Sequence, residues 1–490
     1  MALSTAAGSA VAGQGALSGE RYRLSLKDGR EVWLNGERVD VTTHPAFAGI
    51  LTELGRLHDL QHSPEHRDDM TFVSPESGHR VSYSYLLPRT RDDLLAKRRN
   101  TEVWMEESWG QLGRAPDFMS NVVVGLYDFR DELRGNDPRF GDNAVNYHRF
   151  AQEADLSITH AIGDPQIDRS IGPLQDPDLG LRVVRETSDG IVIRGAKQLA
   201  TLAPLAHEVL VYLSSSFALR EAKEFVLWFA LPVASPGLKM LCRQPLSLHM
   251  DGHSHPFASR YDEQDAMLFF DDVLVPWERV FLLYDGPLAL RGLARINAWS
   301  VFTSYIRFLH RLELIIGVAS LVAESIGRQG MREVLDGLGE LVTYAELLRL
   351  ALRGAYADAC ETPGGLVAPA SCRASGIFAA QISGRILEIL RHIGTSGILM
   401  QPSEADLAND DLRPYLERYM RGRDVGVAEK SRLFRLAWDL TCDSFGMRQE
   451  LYEYLHAGDI SRNRQNLYAS YDRGRIVERI RRMIAEPLPS

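Results

Sequence analysis

The spacing of apolar residues predicts a helical region at each end of the chain. Between residues 45 and 147 apolar residues recur every three or four positions, as in Phe47, Ile50 and Leu54, and this period is typical of helices with one buried face. From residue 288 onward the spacing is helical again. Leu312–Ile326 is apolar on almost all sides, which predicts a buried helix of a bundle.

Alternating apolar and polar residues predict strands between these helical regions. Thr187-Ser188-Asp189-Gly190 is typical of a hairpin turn, and a weaker hairpin is predicted over Tyr22–Leu34, with its turn at Lys27-Asp28-Gly29. The predicted central strands are Leu181–Glu186, Ile191–Arg194, Val209–Leu213, Glu224–Leu231, Leu238–Leu241 and Ala266–Phe270. About five or six strands are enough for a small sheet or β-barrel.

The chain is therefore predicted to be an α+β protein with three domains, because 490 residues exceed one ordinary hydrophobic core. We expect a flexible tail over 1–20, an N-terminal helical domain over 21–150, a central β domain over 151–285 and a C-terminal helical bundle over 286–490. No apolar run reaches the roughly 18 residues of a membrane span, and the tail lacks the features of a signal peptide.

Charge and cysteine content narrow the classes of partner and compartment. The net charge of −10 argues against a nucleic-acid partner. The four cysteines show no C-x-x-C or zinc spacing, which is typical of reduced thiols in a cytoplasmic protein.

Ser157–Ser170 concentrates groups that bind ligands or transfer protons. His160 opens it, Gly163-Asp164-Pro165 makes a turn, and Gln166, Asp168 and Arg169 follow. Such polar groups on a loop are typical of a functional site. The alternative is a solvated turn between two domains.

Two further segments carry candidate ligand-binding groups. Arg114, between Gly113 and Pro116, is expected near a helix end where its guanidinium can face a ligand; a simple helix break is the alternative. Lys197 and Thr201, together with Gln166–Ser170, suit a ligand that combines a heteroaromatic ring with phosphates. Structural caps would explain each of these groups singly.

Several familiar sites are absent from the sequence. There is no G-x-G-x-x-G between a strand and a helix and no P-loop, which argues against a nicotinamide site of Rossmann type. Ser215 lacks a G-x-S-x-G context, so a serine hydrolase is disfavoured. His249, His253 and His255 lie within seven residues but have no matching acid or cysteine set nearby, which favours a mobile polar loop over a metal site.

Several short sequence motifs resemble those of one enzyme family. They are Leu34–Val39 with His44–Phe47, Gly113–Phe118, Thr159–Ser170, Gly195–Pro204, Phe270–Arg279, Gly397–Asp406 and Gly446–Tyr452. In the same order along the chain they resemble the oxygenase components of 4-hydroxyphenylacetate 3-monooxygenases, which are two-component aromatic hydroxylases. The resemblance implies an acyl-CoA dehydrogenase-like fold with a small central β-barrel.

The resemblance also implies an activity and its partners. The expected reaction is ortho-hydroxylation of a phenolic substrate, either free or tethered to a carrier, with O₂ as co-substrate. Reduced FAD (FADH2) would come from a separate NAD(P)H:flavin reductase, and the active form would be a homotetramer.

Individual roles follow from the matched positions. Arg114 and His160 are the expected catalytic residues, with Arg114 favouring a phenolate and His160, at a near-neutral pKa, accepting its proton. Phe118 stands where the family usually has tyrosine, which points to a variant substrate. The remaining expected positions are Ser215 and Ser216 for the substrate tail, and Gln166, Asp168, Arg169, Ser170, Lys197, Thr201, Ser444 and Gly446 for flavin.

Other functions stay open at this point. A CoA-ester dehydratase of the same fold would need an iron–sulfur site, but the phrase Met105–Trp109 carries no cysteine. Acyl-CoA dehydrogenation would need a placed glutamate that the sequence does not identify. A catalytically degenerate scaffold for a biosynthetic complex is a further alternative.

Overall fold

A computed structural model describes residues 15–168, 170–171, 175–212, 222–248, 250–456 and 458–485. The N-terminal part is mainly helical, as the apolar spacing predicts. Its helices are α1 (Gly19–Ser25), α2 (Pro45–Leu60), α3 (Arg67–Met70), α4 (Arg91–Glu107), α5 (Pro116–Asp128), α6 (Arg130–Arg134) and α7 (Pro138–Ala154). Its strands are β1 (Glu31–Leu34), β2 (Glu37–Val39), β3 (Thr71–Val73) and β4 (Arg80–Ser82).

The first residues described differ from the expected tail and hairpin. The Gly15 amide donates to the Glu153 carbonyl at 2.8 Å, and α1 begins at Gly19, so part of the expected tail 1–20 is packed structure. The hairpin turn lies at Asn35-Gly36, where both residues have positive φ, rather than at Lys27-Asp28-Gly29. Glycine adopts positive φ without steric penalty, which suits this short turn.

The central strands form two open sheets rather than the expected closed barrel. They are β5 (Ile158–His160), β6 (Arg182–Glu186), β7 (Gly190–Thr201), β8 (Glu208–Val211), β9 (Leu227–Pro232), β10 (Leu238–Cys242), β11 (Asp265–Pro276) and β12 (Val280–Leu283), with the short helix α8 (Ala258–Tyr261) before β11. The sheet orders are β2-β1-β10-β11-β7-β6 and β12-β9-β8-β5. Within the described residues neither sheet closes on itself.

Pairing within these sheets places the first functional segment. The predicted Asp189-Gly190 hairpin is confirmed, since β6 pairs antiparallel with β7. β5 pairs parallel with β8, with His160 opposite Leu210. His160 is therefore held at the end of a buried edge strand.

The C-terminal part is a helical bundle. Its helices are α9 (Gly286–Ser325), α10 (Arg332–Ala357), α11 (Arg373–Gly394), α12 (Glu404–Ala408), α13 (Arg413–Tyr419), α14 (Val427–Thr441), α15 (Ser444–Leu455), α16 (Ile460–Ser470) and α17 (Gly474–Ala485), and β13 (Cys360–Glu361) pairs with β14 (Val367–Ala368).

Helix α9 joins the bundle to the rest of the molecule. It contains the predicted apolar segment Leu312–Ile326, in which Leu312 and Ile315 are fully buried, and it packs on α5, α10 and α11. Gly292 of α9 lies against Trp228 of β9, so the helical and β parts share one core. Among the described helices, none combines the length and apolar character needed to cross a membrane.

Candidate active site

Arg114 and His160 meet although they are distant in the sequence. Pro116 opens α5 and Ala115 is its N-cap, so Arg114, one residue earlier, lies in the loop that enters the helix. Its Nη2 donates to Nε2 of His160 at 2.9 Å, and His160 is 8% exposed. The structure therefore brings together the two residues that the sequence predicts to be catalytic.

The contacts of His160 define its protonation. An arginine can only donate, so Nε2 of His160 accepts and the ring hydrogen of the neutral imidazole lies on Nδ1. Nδ1 is 3.2 Å from the hydroxyl of Tyr212, which in turn donates to Oδ1 of Asn297 at 3.1 Å. Burial, reinforced by the Arg114 charge, holds the pKa of His160 well below its usual range. The expected near-neutral pKa is thus wrong for the free protein, in which His160 is neutral at pH 7.

Phe118 forms one wall of this site. The Arg114 guanidinium lies 4.3 Å from the centre of the Phe118 ring, within the range of a cation–π contact. The Phe118 ring also meets the His160 ring edge-to-face, with centroids 5.7 Å apart. Its part in substrate binding stays a prediction, but the contact with both catalytic candidates is plain.

Tyr452 of α15 supplies a hydroxyl that sequence reasoning did not assign. Nη1 of Arg114 donates to this hydroxyl at 2.6 Å, and the hydroxyl donates to the Gly113 carbonyl at 3.0 Å. The Tyr452 ring lies so close to Gly113 that a Cβ there would be 2.6 Å from a ring atom, so only glycine fits. Position 118 carries no hydroxyl, but Arg114 still has a phenolic partner.

A buried ionic network holds α15 and Arg114 in place. Arg448 of α15 donates to Glu263 and Asp265 at 2.8 Å each, and the other carboxylate oxygen of Glu263 accepts from the Arg114 amide at 2.8 Å. Thr201 donates to Asp265 at 2.7 Å. Thr201 is predicted to contact flavin, but its hydroxyl already donates its hydrogen bond to this network.

A second buried group of charges lies behind Tyr452. Arg307 makes a bidentate pair with Glu453, both distances being 2.6 Å, and its guanidinium is 5.0 Å from the Tyr452 ring centre. Arg311 adds a second buried cation beside the same carboxylate, at 3.9 Å, and burial lowers its pKa to about 10. Two arginines face one glutamate here, so this side of the site is electropositive.

The sequence contained a signal for these residues. Arg448 and Tyr452 are four positions apart on α15, as are Gln449 and Glu453, and Gln449 and Glu453 are fully buried or nearly so. Polar residues at helical spacing on a buried face indicate a network rather than a solvated surface. The motif Gly446–Tyr452 contains Arg448, Gln449 and Tyr452, whereas the sequence prediction for this motif names only Gly446.

In the loop after β5, the polar residues that are expected to bind flavin face the solvent. Gln166, Asp168 and Ser170 are exposed, and Ser170 donates its hydroxyl to Asp168 at 2.6 Å. Lys197 is fully buried and its ammonium bonds Asp164 at 2.5 Å and the Ile162 carbonyl at 3.1 Å. Lys197 therefore braces the turn, and its expected direct contact with flavin does not match this placement.

The remaining predicted residues lie elsewhere or outside the description. Ser444 is exposed at the first turn of α15. Gly446 packs so tightly that an added Cβ would lie 2.5 Å from the Leu440 backbone, which gives this glycine a packing role. Arg169, Ser215 and Ser216 lie outside the described residues, so their roles stay predictions.

Comparisons with known proteins identify the family of the chain. Residues 18–282 match the family model 4-hydroxyphenylacetate 3-hydroxylase N terminal, and residues 293–485 match 4-hydroxyphenylacetate 3-hydroxylase C terminal. The 4-hydroxyphenylacetate 3-monooxygenase oxygenase component of Thermus thermophilus is 38% identical over 481 residues, which are 96% of this chain and 98% of that protein.

Two further relatives carry ligands or substrates in their names. The crystal structure of an oxygenase component of 4-hydroxyphenylacetate 3-monooxygenase complexed with FAD and 4-hydroxyphenylacetate has a TM-score of 0.90 and 37% identity, covering 96% of this chain and 98% of its own. A Streptomyces globisporus monooxygenase, named for a (3S)-3-amino-3-(3-chloro-4-hydroxyphenyl)propanoyl group on a peptidyl-carrier protein, is 33% identical, covering 94% of this chain and 88% of its own.

These matches extend over nearly the whole chain. The acyl-CoA dehydrogenase-like fold predicted from the sequence is confirmed, with open sheets in place of a barrel. The family inferred from the sequence phrases is confirmed as well: the chain belongs to the 4-hydroxyphenylacetate 3-hydroxylase family.

Proposed function

We propose that the protein is the oxygenase component of a two-component monooxygenase that hydroxylates a phenol ortho to its hydroxyl. The observation that carries this proposal is the buried contact of 2.9 Å between Arg114 Nη2 and His160 Nε2. A cation and a neutral imidazole side by side are suited to a phenolic oxygen, which can accept from one and donate to the other.

The residues present fit a flavin, and we propose reduced FAD. Arg114 keeps a buried Nε without a hydrogen-bond partner, and the loop after β5 exposes the Gln166 side chain with its amide donors. Donors of this kind match the carbonyl oxygens and ring nitrogens of an isoalloxazine. The reduced cofactor supplies the electrons that activate O₂, while the protein contributes binding, orientation and exclusion of water.

Arg114 and His160 divide the work on the substrate. The guanidinium places a positive charge beside the phenolic oxygen and so favours the phenolate, whose ortho carbon is the better nucleophile. His160, neutral because its pKa is depressed, has a lone pair on Nε2 that can receive the phenolic proton once the substrate oxygen replaces Arg114 as its partner. Tyr212 and Asn297 keep the imidazole in the tautomer that this step needs.

The substrate class is a 4-hydroxyphenyl compound, either free or attached to a carrier. The relatives named above act on both kinds. Phe118 makes the wall beside the phenol less polar than a tyrosine would, which favours a substrate other than 4-hydroxyphenylacetate itself.

The proposal extends to partners and assembly. A separate NAD(P)H:flavin reductase would supply the reduced FAD, and the enzyme would work in the cytoplasm as a homotetramer. Support for self-association comes from α17, whose apolar residues Ile476, Val477, Ile480 and Ile484 follow helical spacing and are all exposed. Light scattering of the active enzyme is expected to give four times the mass of one chain, and an active monomer would contradict it.

The test of the function is single turnover with chemically reduced FAD. The protein is mixed anaerobically with FADH2 and a panel of phenols, exposed to O₂, and the products are analysed by mass spectrometry. We expect one added oxygen atom in a catechol product and no requirement for NADH in the mixture. A catalytically inert scaffold would bind no FADH2 and release no catechol, and a CoA-ester dehydratase would convert a CoA ester instead.

A further inference from the structure

His255 of the disfavoured histidine loop meets acidic partners from the other end of the chain. His255 lies in the loop between β10 and α8, Asp439 in α14, and Asp443 at the N-cap of α15. One ring nitrogen of the histidine and one oxygen of each carboxylate lie within 4.8 Å of one another. Both acids are more than 180 residues away from His255 in the sequence, so the residues around the loop give no sign of them.

Two atoms of this cluster, Oδ1 of Asp439 and Nδ1 of His255, make no hydrogen bond and could bind an ion. Asp439 is fully buried; its Oδ2 accepts from the amides of Phe257 and Ala258 at 2.6 and 2.9 Å, whereas Oδ1 has no hydrogen-bond partner. Buried carboxylate oxygens are normally satisfied, so an orphaned one needs an explanation. Asp443 caps α15 through Oδ1 at 2.7 Å from the Ser444 amide and presents Oδ2 to His255.

The approach of His255 to Asp443 resembles that of two ligands on one ion. Nδ1 and Oδ2 are 2.8 Å apart, yet Nδ1 makes no directed hydrogen bond, so the oxygen lies off the axis along which the ring nitrogen would donate. A metal ion bound to Nδ1 at roughly 2.1 Å would lie on that axis, and a carboxylate oxygen bound to the same ion would lie to one side of it, as Oδ2 of Asp443 does.

We propose that His255, Asp439 and Asp443 bind a divalent first-row transition ion, with Zn²⁺ as the best match. An imidazole nitrogen with two carboxylate oxygens is a ligand set that suits this class of ion. Ligand atoms on a tetrahedral Zn²⁺ are roughly 3.4 Å apart, so the widest separation in the cluster, at most 4.8 Å, has to close by up to about 1.4 Å through movement of the partly exposed His255 and Asp443 side chains. The side chains of His255 and Asp443 are 23% and 16% exposed, which leaves a path for the ion and room for water ligands.

The ion would connect the β region to the helix that supports the catalytic arginine. Asp443 is the N-cap of α15, and the same helix carries Arg448 and Tyr452, which fix the Glu263 network and Nη1 of Arg114. Binding at the start of α15 therefore steadies this helix from the end remote from Tyr452. The site is structural and takes no part in the oxygenation step.

The test uses the full-length protein stripped with EDTA and titrated with ZnCl₂ by isothermal titration calorimetry. We expect one ion per chain at micromolar affinity or tighter, and a rise in Tm when Zn²⁺ is added. His255→Gln and Asp443→Asn should each weaken binding at least tenfold and abolish the rise in Tm. Asparagine is as good an N-cap as aspartate, so Asp443→Asn keeps α15 capped and decides the question if His255→Gln does not fold.

His253→Gln is the matched control, because it alters a histidine of the same loop outside the cluster. It should bind Zn²⁺ as the wild type does. The proposal is overturned if the wild type shows no saturable binding, or if Asp443→Asn binds Zn²⁺ with wild-type affinity.

Discussion

Removing the hydroxyl of Tyr452 is expected to impair hydroxylation while leaving the fold intact. In the Tyr452→Phe variant the ring stays in place, with its packing on Gly113 and its stacking on His456 at 4.7 Å. What disappears is the acceptor for Nη1 of Arg114 at 2.6 Å. The change therefore acts on the position of the catalytic guanidinium.

The size of the effect follows from the contacts of Arg114. A hydrogen bond to a charged group contributes about 1.5–3 kcal/mol, and the Gly113 carbonyl, 2.9 Å from the same nitrogen, retains part of it. We take the lower end, about 1.5 kcal/mol, which corresponds to roughly a tenfold loss in kcat/KM. Because the lost contact orients a group that binds and polarises the phenol, the product yield should fall as well.

The assay measures kcat/KM for the phenol and the ratio of hydroxylated product to hydrogen peroxide in single turnover. Tyr454→Phe is the control, since Tyr454 lies on the same helix and is 51% exposed. It should behave as the wild type in both measurements. Circular dichroism and Tm separate loss of positioning from loss of fold.

A Tyr452→Phe enzyme with unchanged kcat/KM and unchanged product yield would refute the reasoning. The Arg114 guanidinium would then be positioned by His160, Gly113 and Phe118 without Tyr452, and the contribution assigned to α15 would be wrong.

Three further predictions concern other parts of the site and the core. His160→Ala should oxidise FADH2 normally but release hydrogen peroxide in place of product, because no group remains to take the phenolic proton. Product formation should partly recover as the pH approaches the phenol pKa near 10. A variant that forms product as efficiently as the wild type would contradict this. Phe118→Tyr should raise the kcat/KM for 4-hydroxyphenylacetate relative to larger phenols, since it adds a hydroxyl beside Arg114, and an unchanged ratio would show that the side chain does not face the substrate. Burial lowers the pKa of His148 to about 4 in the folded protein. As the pH falls, this histidine is therefore protonated near pH 6.5 in the unfolded chain but only near pH 4 in the folded protein. The neutral His148 thus contributes its full share to the free energy of unfolding above pH 6.5, and this share, about 3 kcal/mol, is lost as the pH falls from 6.5 to about 4. His148→Gln keeps a donor for the Tyr85 carbonyl and should flatten the dependence of Tm on pH in this window.

The sequence by itself determined the order of helical region, β region and helical bundle, the hairpin at Asp189-Gly190, and the candidates Arg114 and His160. These features depend on local spacing and short sequence motifs: a 3.6-residue period, a two-residue turn, and an arginine two residues before Pro116. Family phrases are likewise contiguous, so they could be recognised without knowing which residues meet in space.

The tertiary structure decided the features that depend on distant neighbours. Whether the strands closed into a barrel depended on pairings such as β1 with β10, which the strand pattern does not encode. The pKa of His160 depended on burial and on Arg114, neither of which can be read from the residues beside it. Tyr452 and Asp443 reach their partners from the far end of the chain, because packing of α15 against the β region, rather than sequence proximity, brings those groups together.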